Sequence, residues 1–105
     1  MSDHPWVNGF PGVITVCDPE GVILEMNEAS QSHFQAQGGG DLIGTNVLDC
    51  HPEPSRSLLK EMLETQRPLA KVDEKRGKKR VVYQSPWHRD GEYAGFVEMI
   101  LELPD

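Results

Sequence analysis

The chain has 105 residues, of which 37% are hydrophobic and 26% are charged, and its net charge is −7. This length fits one domain, and the composition is typical of a soluble globular protein. The negative charge argues against nucleic acid as a partner, and no apolar run approaches the roughly 20 residues of a membrane helix. No signal-peptide pattern opens the chain, so we expect a cytoplasmic protein without membrane insertion.

Residues 1–11 are predicted to be an irregular segment, because Pro5, Asn8-Gly9 and Pro11 interrupt them. The folded domain is expected over residues 12–105.

Two short β-patterns follow, over residues 13–17 and 22–26, on either side of the Asp-Pro-Glu-Gly segment 18–21. Proline presets the second position of a type I turn and glycine suits the fourth, so the pattern predicts a tight hairpin. Asn27 then occupies the position of a helix N-cap. A helix is therefore expected over residues 27–36.

The middle of the chain favours helices. Asp41 is expected to begin one helical turn with Leu42 and Ile43 buried, and Gly44 to end it. A longer helix is predicted over 55–66, where an apolar stripe consists of Leu58, Leu59, Met62 and Leu63.

The last third has β-patterns over residues 69–74, 79–88 and 93–103, separated by two glycine-containing turns. The order is thus two strands, helices and three strands. It predicts an α+β fold in which a five-stranded antiparallel sheet has helices inserted between strands 2 and 3, covering one face.

The element order, the Asp-x-x-Gly hairpin, the residue Asn27 and the Asp-Leu-Ile-Gly segment 41–44 together resemble a PAS domain over about residues 12–104. The resemblance implies a sensory or regulatory module rather than an enzyme. Such a module binds a small ligand or partner and signals through dimer contacts to an effector, for example in transcription regulation. The chain has no kinase, cyclase or helix-turn-helix motif, so the effector is unknown.

A PAS-like domain would hold its ligand between the helices and the sheet. A small apolar ligand is expected, in a mostly apolar pocket with a few polar groups. If Glu98 faces the helices, it needs a donor, for which His88 or Ser85 is expected. The alternative is that the pocket candidates named below only fill the core of the fold. The pocket candidates are Thr15, Cys17, Phe34, Ile43, Val47, His51, Leu59, Met62, Ser85, Trp87, Phe96, Glu98 and Ile100.

The cofactor is unknown from the sequence. Flavin-binding PAS photoreceptors have a reactive cysteine where this chain has Val47, so flavin-thiol photochemistry is not expected. Oxygen-sensing haem PAS domains take their histidine from the long helix, and residues 55–66 contain none. Haem therefore remains an alternative only through His33 or His51.

Cys50-His51 is the one adjacent pair of metal-ligating or nucleophilic residues. No further ligands follow at a recognisable spacing, so no metal site and no catalytic residue is predicted. A small stand-alone enzyme, or a haem or metal-binding domain that uses this pair, is the alternative. Cys17 is expected to be a buried free thiol.

Both faces of the last strand are apolar, whereas a sheet with one wet face alternates cleanly. The row Val97, Met99 and Leu101 therefore predicts a homodimer through the outer sheet face. The alternatives are that Trp6 and Phe10 cover this row within one chain, that a flanking helix of a larger protein covers it, or that these are ordinary scattered surface apolar residues.

Six of the ten basic residues fall within residues 71–80. They form either a solvated hairpin tip or a docking patch for an acidic partner.

Overall fold

A computed structural model describes residues 4–104. Residues 1–3 of the predicted N-terminal segment and residue 105 of the predicted domain lie outside the described part. The elements are α1 (Pro5–Gly9), β1 (Val13–Cys17), β2 (Ile23–Met26), α2 (Glu28–His33), α3 (Ser55–Thr65), β3 (Leu69–Lys75), β4 (Lys78–Arg89) and β5 (Glu92–Glu102). The strands pair antiparallel in the order β2-β1-β5-β4-β3. The predicted fold class is confirmed, because the helices between β2 and β3 lie against this sheet.

The turn between β1 and β2 forms as its residues predict. The Gly21 amide donates to the Asp18 carbonyl over 3.0 Å, which closes the turn. The Asp18 carboxylate also accepts the amides of Glu20 and Val22, at 3.0 and 2.9 Å. Gly21 has φ +93°, which is a conformation that glycine adopts without steric cost.

Asn27 caps α2 as predicted and is fully buried, with 0% of its surface exposed. Its Oδ1 accepts the Ser30 amide over 2.9 Å. Its Nδ2 donates to the Val7 and Gly12 carbonyls, at 3.0 and 2.9 Å. One side chain thereby joins the helix start to the chain that precedes β1.

The N-terminal segment is more ordered than predicted, because residues 5–9 form the short helix α1 with Pro5 in its first turn. Proline is favoured there, since that position needs no amide donor. Asn8 holds the helix in place by accepting the Glu28 amide over 3.1 Å. Trp6 is exposed, whereas Val7 is buried.

Between α2 and α3 the chain makes three 3₁₀ turns rather than one predicted helical turn. The second ends at Leu42 with Ile43 as its C-cap, whereas Gly44, which was predicted to end it, lies one residue later with φ +93° and donates its amide to the Ile23 carbonyl. Ile43, expected to be buried, is 43% exposed because the chain is extended there, with ψ 128°. The turns span Gln35–Gln37, Gly39–Leu42 and Val47–Cys50.

The helix α3 packs on the sheet through a narrower face than the stripe predicted. Met62 and Leu63 are buried and form a core cluster with Cys17 and Phe96. Leu58 is 47% exposed, so its expected burial is wrong. At this position the helix turns it away from the sheet.

Both predicted hairpin turns join the last three strands. The central residues of the first, Arg76 and Gly77, have φ of 55° and 79°. Those of the second, Asp90 and Gly91, have φ of 52° and 84°. Positive φ at both central residues is what a type I′ hairpin turn requires.

The basic residues lie on the exposed β3–β4 hairpin. Arg80 contacts Asp73 through two hydrogen bonds of 2.9 and 2.8 Å. This contact lowers the pKa of the Asp73 carboxyl.

No helix in residues 4–104 is long and apolar enough to span a membrane.

Candidate functional site

A cavity of about 330 Å³ lies between the helical layer and the inner face of the sheet. Its wall combines aliphatic and aromatic side chains with a small number of polar groups. Within the described residues, those that line it are Thr15, Cys17, Ile23, His33, Phe34, Gln37, Leu42, Val47, Cys50, His51, Leu59, Gln84, Phe96, Val97, Glu98 and Ile100.

The sheet wall follows from strand alternation. Phe96, Glu98 and Ile100 are two residues apart on β5, so their side chains share one face. Thr15 pairs with Glu98 and Cys17 pairs with Phe96 across β1 and β5, which places them on the same face. This face points at the helices.

Glu98 is the one carboxylate among the described lining residues. Its Oε2 accepts a hydrogen bond of 2.8 Å from Nε2 of Gln84, its cross-strand partner on β4. The donor is therefore Gln84 and neither of the expected residues, His88 and Ser85. Because residues directly opposite each other share a face, Gln84 is within reach and its sequence neighbour Ser85 is not.

His51 lies on the helical side of the cavity, just after the 3₁₀ turn Val47–Cys50. Its Nδ1 lies 2.6 Å from the Val47 carbonyl oxygen. A carbonyl only accepts, so Nδ1 must carry the proton of this contact, and in the neutral ring Nε2 is then an acceptor. A backbone carbonyl therefore orients this histidine, where a catalytic dyad would use a carboxylate.

The polar groups on the β1 side are already hydrogen-bonded. Thr15 Oγ1 and Ser30 Oγ lie 2.6 Å apart, and either hydroxyl can be the donor. This contact joins the centre of β1 to α2. It fixes the Thr15 side chain at the cavity wall.

The two cysteines differ in environment. Cys17 is buried, as predicted, and burial raises the pKa of its thiol. Cys50 is exposed at the rim of the cavity. Within residues 4–104, no three His, Cys, Asp or Glu side chains cluster in a way that could hold a metal ion.

His33 lines the cavity at the end of α2. Desolvation lowers the pKa of this histidine, and the neighbouring charges of Arg80 and Lys75 lower it further. The ring is therefore mainly neutral at pH 7. Its edge packs against Phe34, with ring centroids 4.7 Å apart.

Four of the predicted pocket residues do not line the cavity. Ile43 points to solvent, and Met62 fills the core cluster. Ser85 pairs with Val97 on the outer face. Trp87 lies opposite Gly95 and donates from Nε1 to the Cys17 carbonyl over 3.1 Å, so its polar group is used in the sheet.

Seven lining residues were absent from the predicted set of pocket candidates: Ile23, His33, Gln37, Leu42, Cys50, Gln84 and Val97. Gln84 could have been found, because it lies two residues after the buried Val82 on one strand. His33 precedes the predicted wall residue Phe34. Nothing local in the sequence indicates Gln37, which reaches the cavity from a 3₁₀ turn.

The outer sheet face carries the predicted dimer row. Val97, Met99 and Leu101 are half-buried, and Val97 also borders the cavity. Tyr83 pairs with Met99 and is 42% exposed. A side chain at Gly12 would meet both Leu101 and Phe10, so Phe10 lies beside the end of this row.

A family model described as PAS fold matches residues 7–103. No curated protein matches the chain. Among solved structures, a C-terminal domain from Streptococcus mutans is similar, with a TM-score of 0.77, 20% identity, and coverage of 95% of this chain and 81% of that chain.

Two further similar structures come from Vibrio cholerae. The Aer2 receptor, described as a dual PAS-heme oxygen sensor, has a TM-score of 0.63 and 16% identity, covering 89% of this chain and 95% of that one. VqmA, described as a dimer and a LuxR-type receptor that binds DNA, has a TM-score of 0.67 and 18% identity, covering 99% of this chain and 51% of that one. At these identities the likeness concerns the fold.

Proposed function

This chain belongs to the PAS fold family, and we propose that it is a sensory module that binds a small ligand in the cavity beneath its sheet. Occupancy of the cavity then changes the contacts of a homodimer, which passes the signal to an effector. The observation that carries this proposal is the cavity itself, lined by apolar side chains and a few converging polar groups.

The size of the cavity supports a small ligand. A volume of about 330 Å³ is at the lower end of the roughly 300–1,000 Å³ that ligand pockets occupy. Phe34, Leu59 and Phe96 provide apolar contact area, while Glu98 and His51 supply polar groups that can orient a ligand.

Haem is a second candidate, because the similar Aer2 receptor is described as a haem sensor. His33 and His51 both line the cavity and could offer an axial nitrogen. A porphyrin is larger than the present cavity, so its binding requires the helices to move outward. A visible spectrum of the purified protein separates the two candidates, since only haem gives a Soret band.

The outer sheet face supports the homodimer. Met99 and Tyr83 form an apolar pair across β5 and β4, and the nearby Val72 on the edge strand is exposed. A two-fold axis would bury this patch against its copy. Because Glu98 and Met99 are consecutive on β5, a shift of that strand on ligand binding would reach both faces.

The test of ligand binding is a comparison of native and denatured masses of the purified protein. A cavity ligand appears as extra mass that unfolding removes. Leu59→Trp fills the cavity and should abolish this extra mass. Leu58→Trp, at the exposed neighbouring position on α3, should keep it.

Wild-type protein without extra mass and without a thermal shift across a metabolite library would contradict the ligand-binding part of the proposal.

A further inference from the structure

We infer that the cavity selects a small, partly apolar cation that carries N–H donors, such as an amidine or a primary amine. This inference rests on the proposed function, since it names the ligand class of the same cavity. It follows from the hydrogen-bonding character of the polar groups on the wall.

Glu98 supplies the negative charge. An ionised carboxylate only accepts hydrogen bonds, and it has room for several. Gln84 donates one bond to Oε2. The remaining acceptor sites lie between Phe96 and Ile100 on the same face, where apolar walls reduce competition from water.

Gln84 adds a second acceptor. Because its Nε2 must be the atom that donates to the Glu98 carboxylate, the orientation of its amide is fixed. Its side-chain carbonyl oxygen is the other end of that amide. An amide oxygen accepts hydrogen bonds and does not donate them.

His51 adds a third acceptor from the opposite wall. Its Nδ1 lies 2.6 Å from the Val47 carbonyl oxygen and donates to it, so in the neutral form of the ring Nε2 has a lone pair. A ligand that fills a cavity of about 330 Å³ contacts both the sheet wall and the helical wall. It therefore meets acceptors on both sides.

The charges on the wall favour a cation. Among the described lining residues, Glu98 is a carboxylate and none is Lys or Arg. Arg80 is close enough to act on Glu98, but it lies outside this cavity and contacts Asp73 through two hydrogen bonds. An anionic ligand would face Glu98 with no lysine or arginine among the described lining residues to offset the repulsion.

The test uses three probes of nearly the same shape: benzamidine, a cation with N–H donors; benzamide, neutral; and benzoate, an anion with acceptors only. Titration calorimetry at pH 7 should show benzamidine binding about tenfold or more tighter than benzoate, as expected for charge-assisted hydrogen bonds. Glu98→Gln keeps the shape of the side chain and removes its charge. It should reduce the benzamidine preference to about threefold or less.

Ser85→Ala is the matched control, because Ser85 lies on the outer face and its substitution should leave all three affinities unchanged. Benzoate or benzamide binding as tightly as benzamidine, or a preference that survives Glu98→Gln, overturns the inferred ligand class and leaves the cavity as a ligand site. Absence of binding by all three probes at millimolar concentration also overturns the inferred ligand class, whereas the comparison of native and denatured masses tests ligand binding itself.

Discussion

Asn27 and Ile14 hold each other by two reciprocal hydrogen bonds. The Ile14 amide donates to Asn27 Oδ1 over 3.0 Å, and the Asn27 amide donates to the Ile14 carbonyl over 3.1 Å. The same Oδ1 caps α2. One buried side chain thus fixes β1 against the end of β2 and sets the position of the helix that forms part of the cavity wall.

Asn27→Ala should therefore cost roughly 3 kcal/mol or more of unfolding free energy, because it leaves several buried backbone groups without partners. Asn27→Asp should also destabilise the fold, since a carboxylate cannot donate to the Val7 and Gly12 carbonyls. Asn46→Ala is the control, because Asn46 caps a half-exposed 3₁₀ turn and should cost about 1 kcal/mol. Urea titrations measure all three, and equal effects at both asparagines would contradict the role given to Asn27.

Gly95 on β5 lies very close to the backbone at the end of β1. A Cβ there would collide with the Cys17 carbonyl and lie 2.8 Å from the Asp18 backbone, and φ is +131°. Gly95→Ala should cost more than about 4 kcal/mol or prevent folding, since neither neighbour is a side chain that can move away. Gly91→Asn, in the open β4–β5 turn, should leave a folded protein with nearly unchanged melting temperature. A Gly95→Ala protein that melts normally would show that the strands can separate here.

The helix α3 provides a test of burial within one element. Met62 is 2% exposed, so Met62→Ala should lower the free energy of unfolding by roughly 2–5 kcal/mol. Leu58 is 47% exposed, so Leu58→Ala should lower the free energy of unfolding by less than about 1 kcal/mol. Chemical denaturation distinguishes the two. Similar losses would mean that α3 is rotated about its axis from the position described.

The features that the sequence predicted correctly depend on near neighbours. The hairpin at 18–21, the cap at Asn27 and the turn at Asp90-Gly91 each have their determinants within a few residues. The strand periodicity was also sufficient to place Phe96, Glu98 and Ile100 on one face. That face became the sheet wall of the cavity.

The features that it missed depend on contacts between distant segments. The partner of Glu98 is set by the β4–β5 register, and a shift of one residue would replace Gln84 by Ser85. The helix α1 is too short to be stable alone and is held by Asn27 and Asn8. Neither contact leaves a local pattern.

The two cysteines should differ in reactivity. Iodoacetamide at pH 8 should modify the exposed Cys50 readily and the native Cys17 slowly, because burial raises the pKa of the Cys17 thiol and hides it. Mass spectrometry counts the modified sites, and Cys50→Ser isolates Cys17. Rapid native modification of Cys17 would mean that the cavity opens to solvent.

The same pKa shift has a consequence for stability. The folded state keeps the Cys17 proton to a higher pH than the unfolded state does. The contribution of this proton to the stability of the fold is therefore complete below the ordinary thiol pKa of about 8.5. It is lost as the pH rises above that value towards the folded pKa. Cys17→Ala should flatten the alkaline part of the stability profile, and an unchanged profile would contradict this assignment.

The proposed homodimer should depend on Met99, which lies in the middle of the row Val97, Met99 and Leu101 on the outer face. Met99→Glu should give a folded monomer, because it would place a carboxylate from each copy in an apolar interface, where burying an unpaired charge is costly. Leu101 is a poorer choice, since it packs beside Gly12 and Phe10 and its substitution would also disturb the fold. Leu58→Glu makes the same change in charge on the helical layer and should remain dimeric. Analytical ultracentrifugation across a wide concentration range measures the association. The proposal would be contradicted if the wild-type protein were monomeric at every concentration, or if Met99→Glu dimerised with unchanged affinity. Either result would mean that the signal does not leave the domain through a dimer interface on the outer face of β4 and β5.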